Sequence, residues 1–177
     1  MRDLTKEIII TPRLKLVALS QEYAQDILEN MTDEITTYMN PRAPRKIEDV
    51  LKYVYAQLPK IKFGEELPVV ILYKETGEFL GAGGAHHLET DTPELGIWIK
   101  KSAHGNGYGR EAVTGLKQWI DENILYTYIK YPVDRNNIPS RKIAESLGGT
   151  IADEYKKKNM SGHVLDEVEY RIYKGKG

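Results

Sequence analysis

Ile97-Trp98-Ile99-Lys100-Lys101-Ser102-Ala103-His104-Gly105-Asn106-Gly107-Tyr108-Gly109-Arg110-Glu111-Ala112 decides how this chain is read. The apolar start of the stretch closes a strand expected over Glu94 to Lys100. Its end opens a helix at Gly107 that places Ala112, Val113, Leu116, Trp119 and Ile120 on one face. Between them lie Gly105, Gly107 and Gly109. Glycines there let the backbone come close to a ligand without Cβ interference. Clustered N–H groups and the positive end of the helix dipole then suit an anion such as a pyrophosphate. On the loop alone two readings stand side by side: this anion cradle, and a simple strand-to-helix turn that needs positive φ. A dinucleotide fold wants the loop after its first strand, with an acidic residue about 20 residues on. An ATPase-type loop wants Gly-Lys followed by Ser or Thr. This loop is mid-chain and has neither, which leaves a nucleotide that is not a hydride carrier or phosphoryl donor.

Upstream of the loop, Glu7 to Ser20 reads as a strand, broken or bulged near Pro12. Ser20 is the expected N-cap of a helix carrying Ala24, Ile27, Leu28 and Met31. Thr32 to Pro44 is irregular, and a second helix carries Ile47, Val50, Leu51, Val54 and Leu58, with Pro59 expected to end or kink it. Leu67 to Lys74, Phe79 to Glu89 and Glu94 to Lys100 form an antiparallel meander, with turns at Glu75-Thr76-Gly77-Glu78 and Asp91-Thr92-Pro93. Downstream, Leu125 to Val133 is a strand, Asn136 to Leu147 a helix ended by Gly148, and Thr150–Tyr155 and Asp166–Tyr173 are two last strands. This order gives a mixed α/β sheet with one parallel crossover after the Gly loop. Lys156-Lys157-Lys158 reads as a solvated loop rather than a nucleic-acid patch.

The 177 residues carry a formal net charge of -1 and no cysteine. A chain this neutral has no global field for nucleic acid or an anionic membrane. Disulfides, thiolate catalysis and cysteine metal sites are excluded. The charged start Met1-Arg2-Asp3-Leu4-Thr5-Lys6-Glu7 is no signal peptide, and no run approaches the roughly 18 apolar residues of a membrane span. The expectation is one cytoplasmic domain over residues 1–177.

Ile97 to Ala112 resembles the acetyl-CoA-binding motif of the GNAT acetyltransferase superfamily, Gln/Arg-x-x-Gly-x-Gly/Ala between a strand and a helix. Further on, Asn137-Ile138-Pro139-Ser140-Arg141-Lys142-Ile143-Ala144-Glu145-Ser146-Leu147-Gly148 is similar to the family's Asn-x-x-Ser/Ala helix. Thr11-Pro12-Arg13-Leu14-Lys15-Leu16 and Glu94-Leu95-Gly96-Ile97-Trp98-Ile99 resemble two strands of the branch that includes the RimJ/RimL-type ribosomal-protein N-terminal acetyltransferases. The likeness runs through essentially the whole chain in order. Three positions depart from it: His104 replaces Gln or Arg, Ala144 replaces a tyrosine proposed as general acid, and Gly148-Gly149 replaces Gly-Phe.

The resemblance implies a GNAT-type α+β fold, with about seven mostly antiparallel strands splayed beside the Gly-loop helix and about four helices. It implies acetyl-CoA as co-substrate, no metal, and transfer of an acetyl group to a primary amine by direct attack in a ternary complex. The acceptor would be a small amine or a protein N-terminus, with no direct nucleic-acid or membrane partner, and a homodimer is compatible with the family. His104, Gly105, Asn106, Gly107, Tyr108 and Gly109 would hold the pyrophosphate, His104 through its backbone and Tyr108 by packing under the ligand. Ile97, Trp98 and Ile99 would line the acyl arm, with a backbone N–H near Ile99 as oxyanion donor, and Asn137 would bond the pantetheine arm.

Glu94 is the candidate base, acting through water, and Ser140 could protonate the leaving thiolate. His86 and His87 are adjacent on a strand, so they should point to opposite faces. The one that faces the cleft, taken as His87, is the second candidate base. Simple structural roles remain open beside these: a solvated hairpin-end carboxylate for Glu94, a helix-surface serine for Ser140 and an N-cap for Asn137. The competing function is a non-catalytic acetyl-CoA-binding sensor, to which Ala144 and His104 lend weight.

Overall fold

The computed structural model describes residues 2–175. Eight strands form a single sheet: β1 (Ile8–Ile10), β2 (Leu14–Ala18), β3 (Leu67–Tyr73), β4 (Phe79–His86), β5 (Glu94–Ile99), β6 (Ile129–Asp134), β7 (Thr150–Lys158) and β8 (Val164–Ile172). Their spatial order is β1-β2-β3-β4-β5-β6-β8-β7. Four α-helices accompany them: α1 (Ala24–Asn30), α2 (Ile47–Lys62), α3 (Tyr108–Asn123) and α4 (Ile138–Ser146). This is a mixed, mostly antiparallel α/β architecture, with one strand more than the pattern predicts. The extra strand comes from Thr11-Pro12-Arg13, which turns the expected single strand into the β1–β2 hairpin, with Ile9 facing Leu16. Proline cannot donate to a ladder, so a tight turn is a natural place for Pro12.

The sheet is antiparallel except between β5 and β6. α3 crosses from one to the other and packs its apolar stripe, with Val113, Leu116 and Ile120 fully buried, onto the sheet. α4 follows on the same face, and Ala144 is also fully buried. β3 is buried almost throughout, as Leu67–Leu72 require for a strand covered on both faces.

Three local expectations differ from the structure. Pro59 does not end α2, which runs on to Lys62. Proline removes one helical hydrogen bond, but only one turn remains beyond it, and buried Ile61 draws that turn onto the core. Ser20 makes no side-chain cap; a short 3₁₀ turn at Gln21–Tyr23 leads into α1 instead. Lys156, Lys157 and Lys158 lie in β7, an exposed edge strand, not in a loop. Lysines on an open edge discourage pairing with another chain. Among the described residues, no helix is long and apolar enough to cross a membrane.

Candidate active site

The sheet parts at β5. A Cβ at Gly81 or Gly83 on β4 would collide with the carbonyls of Trp98 and Gly96. Those carbonyls therefore point at β4, and strand alternation turns the peptide groups of Ile97 and Ile99 the other way, toward β6. β6 does not stay to meet them: the two strands are in register only at Glu94–Lys130. Beyond that pair the backbone of Ile97 and Ile99 borders a widening wedge. The His104 ring reaches the wedge, with Nε2 2.6 Å from the Ile99 carbonyl. A carbonyl only accepts, so Nε2 carries the hydrogen. His104 thus engages its side chain within the site, while its backbone N–H donates to the Lys101 carbonyl at 3.2 Å.

The Gly loop closes the wide end of the wedge. Gly105 and Gly107 have φ of 81° and 75°, where a side chain would be strained. Gly107 is the N-cap of α3, and no side chain caps the helix. Its first-turn N–H groups are thereby left to bind an anion. A Cβ on Gly109 would lie 3.3 Å from Ile143 and 3.6 Å from Ile99, so this glycine lets α3, α4 and β5 converge. Asn106 donates from Nδ2 to the carbonyls of Ala103 and His104, tying the loop to itself.

Arg13 fastens the loop from outside. Its Nη1 donates to the Asn106 carbonyl at 2.9 Å, its Nε donates to Glu111 at 2.8 Å, and its guanidinium lies 4.7 Å from the Tyr108 ring centre. Burial pushes the Glu111 carboxyl up, but hydrogen bonds from Thr11 and Arg13 outweigh it and hold it below its ordinary range. Tyr108, the first residue of α3, packs against Arg13 and Tyr73. The sequence reading assigned Arg13 no task; its signal was its place in Thr11-Pro12-Arg13, before the opening strand.

On the α4 side, the Asn137 side chain accepts from the Ser140 N–H at 3.4 Å and so caps the helix. Ser140 Oγ lies 2.8 Å from the Tyr131 hydroxyl. Tyr131 is buried on β6, and that burial pushes its hydroxyl up to about 12, against the pull of the Ser140 bond. Tyr131 did not stand out in the sequence, because nothing in a strand of alternating apolar residues marks one tyrosine as a neighbour of a distant helix.

A family model described as an acetyltransferase (GNAT) domain matches residues 13–150, which include β5, the Gly loop and most of the sheet. The chain belongs to the GNAT acetyltransferase family. It is 25% identical over 175 residues to the uncharacterized N-acetyltransferase p20 of Bacillus licheniformis, covering 95% of this chain and 97% of that one. Its fold matches the RimL ribosomal L7/L12 alpha-N-protein acetyltransferase in complex with coenzyme A, at a TM-score of 0.83 and 16% identity, covering 94% of this chain and 98% of that one. An acetyltransferase from Agrobacterium tumefaciens matches at a TM-score of 0.76 and 24% identity, covering 94% of each chain. This GNAT protein is therefore an acetyltransferase whose acetyl donor is acetyl-CoA. The residues present fit that donor: positive-φ glycines and uncapped N–H groups for the pyrophosphate, and an unpaired strand edge for the arm.

The GNAT sheet has a second face, away from α3 and α4. Glu94 is there, opposite His86 on β4 and partly exposed. β4 ends at His86, and His87 leaves it with φ 54°, so the two histidines do not split between faces as adjacent strand residues would. Both meet Glu66: His86 Nδ1 lies 2.6 Å from Oε2, and the His87 N–H donates to Oε1 at 3.3 Å. Burial pushes the Glu66 carboxyl up, but His86 and His87 more than offset it and hold it low. His86 is the histidine that shares a face with Glu94, whereas His87 is more than half exposed. Glu66 went unnoticed in the sequence because it precedes a buried strand by one residue and carries no motif.

Proposed function

We propose that this enzyme transfers the acetyl group of acetyl-CoA directly to a primary amine, a small amine or a protein N-terminus, in a ternary complex. The observation that carries the reading is the wedge, where the free peptide edge of Ile97 and Ile99 runs up to the Gly loop. Acetyl-CoA, when bound, supplies an acyl carbon activated by its thioester. Backbone N–H groups of the loop segment His104–Gly109 hold the pyrophosphate, Ile97, Trp98 and Ile99 line the arm, and the Ile99 N–H donates to the carbonyl oxygen where charge develops. Asn137 keeps its capping bond and faces the pantetheine arm. Juxtaposing acceptor and acyl carbon supplies much of the rate.

Glu94 draws the acceptor's proton through water, and His86 or His87 supports it from the neighbouring strand end. Ser140, backed by the Tyr131 hydroxyl at 2.8 Å, returns a proton to the departing sulfur. The enzyme acts as one domain over the whole chain, in the cytoplasm, without metal or nucleic acid, as a monomer or a homodimer. The test is a screen of amines and short peptides with thiol release as readout, alongside coenzyme A binding by calorimetry. Acetyl-CoA-dependent thiol release with one acceptor class is expected. Tight coenzyme A binding with no transfer to any amine would instead make the protein a sensor, and no binding would overturn the reading.

A further inference from the structure

Glu167 is a buried carboxylate that the site described so far does not use. It lies on β8 opposite Asp134 of β6 and Tyr155 of β7. Its face follows from alternation. Val168, Tyr170 and Ile172 share a face with Tyr131, which bonds Ser140 of α4. Glu167, Glu169 and Arg171 therefore point to the opposite face. Arg171 pairs with Lys130, which pairs with Glu94, so Glu94 and Glu167 belong to one surface. The tip of the β7–β8 hairpin arches over toward the segment between α1 and α2, where Asn159 Nδ2 donates to the Met39 carbonyl and the Met160 N–H to the Asn40 carbonyl.

The neighbours of Glu167 give it no donor. It is 7% exposed, and among the described residues Oε2 is the buried side-chain oxygen without a hydrogen-bond partner. Both oxygens of Asp134 are taken by backbone N–H groups, from Asn136 and Asp166. Glu169 accepts from Arg171. A buried carboxylate oxygen left unpaired is costly, and fold stability gives no reason to keep one. An incoming ammonium, with three N–H donors and a positive charge, would satisfy it.

Resting on the acetyl-transfer reading above, we propose that Glu167 is the terminal proton acceptor for an acceptor that arrives as an alkylammonium. The carboxylate of Glu167, reached by way of Glu94, takes one proton from the ammonium and becomes the neutral acid. The freed nitrogen lone pair forms the bond to the acyl carbon, and the carbon–sulfur bond breaks. The nitrogen loses its second proton by way of Ser140 to the departing sulfur, giving the amide and the thiol. Glu167 then releases its proton to solvent, so the net products are amide, thiol and one proton.

The electrostatics agree with this geometry. Burial pushes Glu167 up to about 7, Asp134 adds to the rise, Lys157 opposes it and Glu94 adds again. Tyr155, on the facing strand, is itself pushed up to about 12 by burial and by the carboxylates of Glu169, Glu167, Glu94 and Asp153. A proton acceptor that titrates near neutral pH is suited to working there.

The test uses the full chain, n-butylamine as the alkylammonium and a short peptide with a free α-amine for comparison. For the wild type, kcat/KM with n-butylamine should rise through about pH 7 and then level, because Glu167 and not the free amine sets the limb. Glu167→Gln should lose about 10²-fold at pH 7.5, keep its acetyl-CoA affinity, and recover as pH approaches the amine's own pKa. Glu94→Gln should lower kcat and keep the limb near pH 7, with its loss shrinking only as pH approaches the amine's own pKa. A readout without acetyl-CoA is a carboxyl-carbon NMR titration of the free enzyme, in which one resonance should titrate near 7, disappear in Glu167→Gln and move down when n-butylamine is added. The proposal is overturned by a Glu167→Gln enzyme with wild-type rate and pH profile, or by the absence of a carboxyl that titrates near 7 and responds to the amine. Transfer to the peptide but not to n-butylamine would overturn it while leaving the acetyl-transfer reading standing. Failure to acetylate any amine would remove both.

Discussion

The two faces of β5 handle charge in opposite ways. Toward α3 the site is made of backbone: positive-φ glycines, uncapped N–H groups and an unpaired strand edge, with Arg13 bonded to the Asn106 carbonyl of the loop. Toward the β7–β8 hairpin it is made of side chains, the acids Glu94, Asp134, Glu167, Glu169 and Glu66 outnumbering the cations Lys130 and Arg171 on the same face. The first face suits an anionic donor, and the second suits a cationic acceptor. Strands that separate at Glu94–Lys130 let both reach one point without their charges meeting beforehand. A reaction between an anionic thioester and an ammonium is served by such a division, since each partner enters the potential that favours it.

The backbone face should be the more brittle. Gly107→Val forces a β-branched residue to φ near 75°, which costs roughly 1–2 kcal/mol, and displaces N–H groups worth about 1.5–3 kcal/mol each to a charged ligand. Coenzyme A affinity should fall about 10²- to 10³-fold by calorimetry, with the far-UV spectrum unchanged. A folded Gly107→Val protein that binds like wild type would break the contrast, because the anion would then be held by side chains.

The acidic face should tolerate isosteric change in binding while losing turnover. Glu94→Gln should cut kcat by about 10²-fold with acetyl-CoA affinity preserved. The loss should be larger for alkylamines, whose reference pKa is near 10, than for α-amines near 8, and should shrink as assay pH rises. Equal losses for both amine classes at every pH would mean that Glu94 shapes the site and moves no proton.

Glu167 also makes a stability prediction. Its folded pKa, about 7, lies above an unfolded value near 4.3, so the fold favours the neutral acid. The wild type should therefore be most stable below about pH 4.3 with respect to this group, lose stability between about 4.3 and 7, and change little above. Glu167→Gln should flatten that slope and be the more stable protein at pH 8, by roughly 2 kcal/mol. Chemical denaturation at pH 5 and pH 8 compares the two directly. Parallel pH profiles for the two proteins would show that the carboxylate is solvated in solution.

What the sequence revealed follows the same division. Glycines that must adopt positive φ or admit a close neighbour leave a mark in the sequence, so Gly105 and Gly107, with positive φ, and Gly109, packed against Ile143, were legible, and so was β5, set between turn residues and the loop. The hairpin at Pro12 was half legible, as a break rather than a turn. The acidic face was not, because it is assembled by strand order. β8 sits between β6 and β7, so Glu167 meets Asp134 and Tyr155 only through a pairing that no local pattern specifies. Tyr131 against Ser140 and Arg13 against Asn106 are hidden for the same reason: each is a contact between elements that the chain visits far apart.

The smallest effect is expected at His104, at the loop end of β5. Its ring holds the Ile99 carbonyl through Nε2, on the edge that the acyl arm would follow. The ring is exposed, and one such bond is worth about 0.5–1.5 kcal/mol net. Protonating the ring does not break it, since Nε2 carries its hydrogen both in this tautomer and in the imidazolium. Removing the ring frees an acceptor on the wedge but leaves the loop backbone, its positive-φ glycines and the Arg13 clamp in place. His104→Ala should therefore change coenzyme A affinity by no more than several-fold, with the same ratio to wild type at pH 6 and pH 8 by calorimetry. A loss approaching that of Gly107→Val would show that the cradle depends on a side chain and would blur the contrast between the faces. A loss confined to pH 6 would show that the imidazolium charge, and not the Nε2 hydrogen bond, is what the ligand uses.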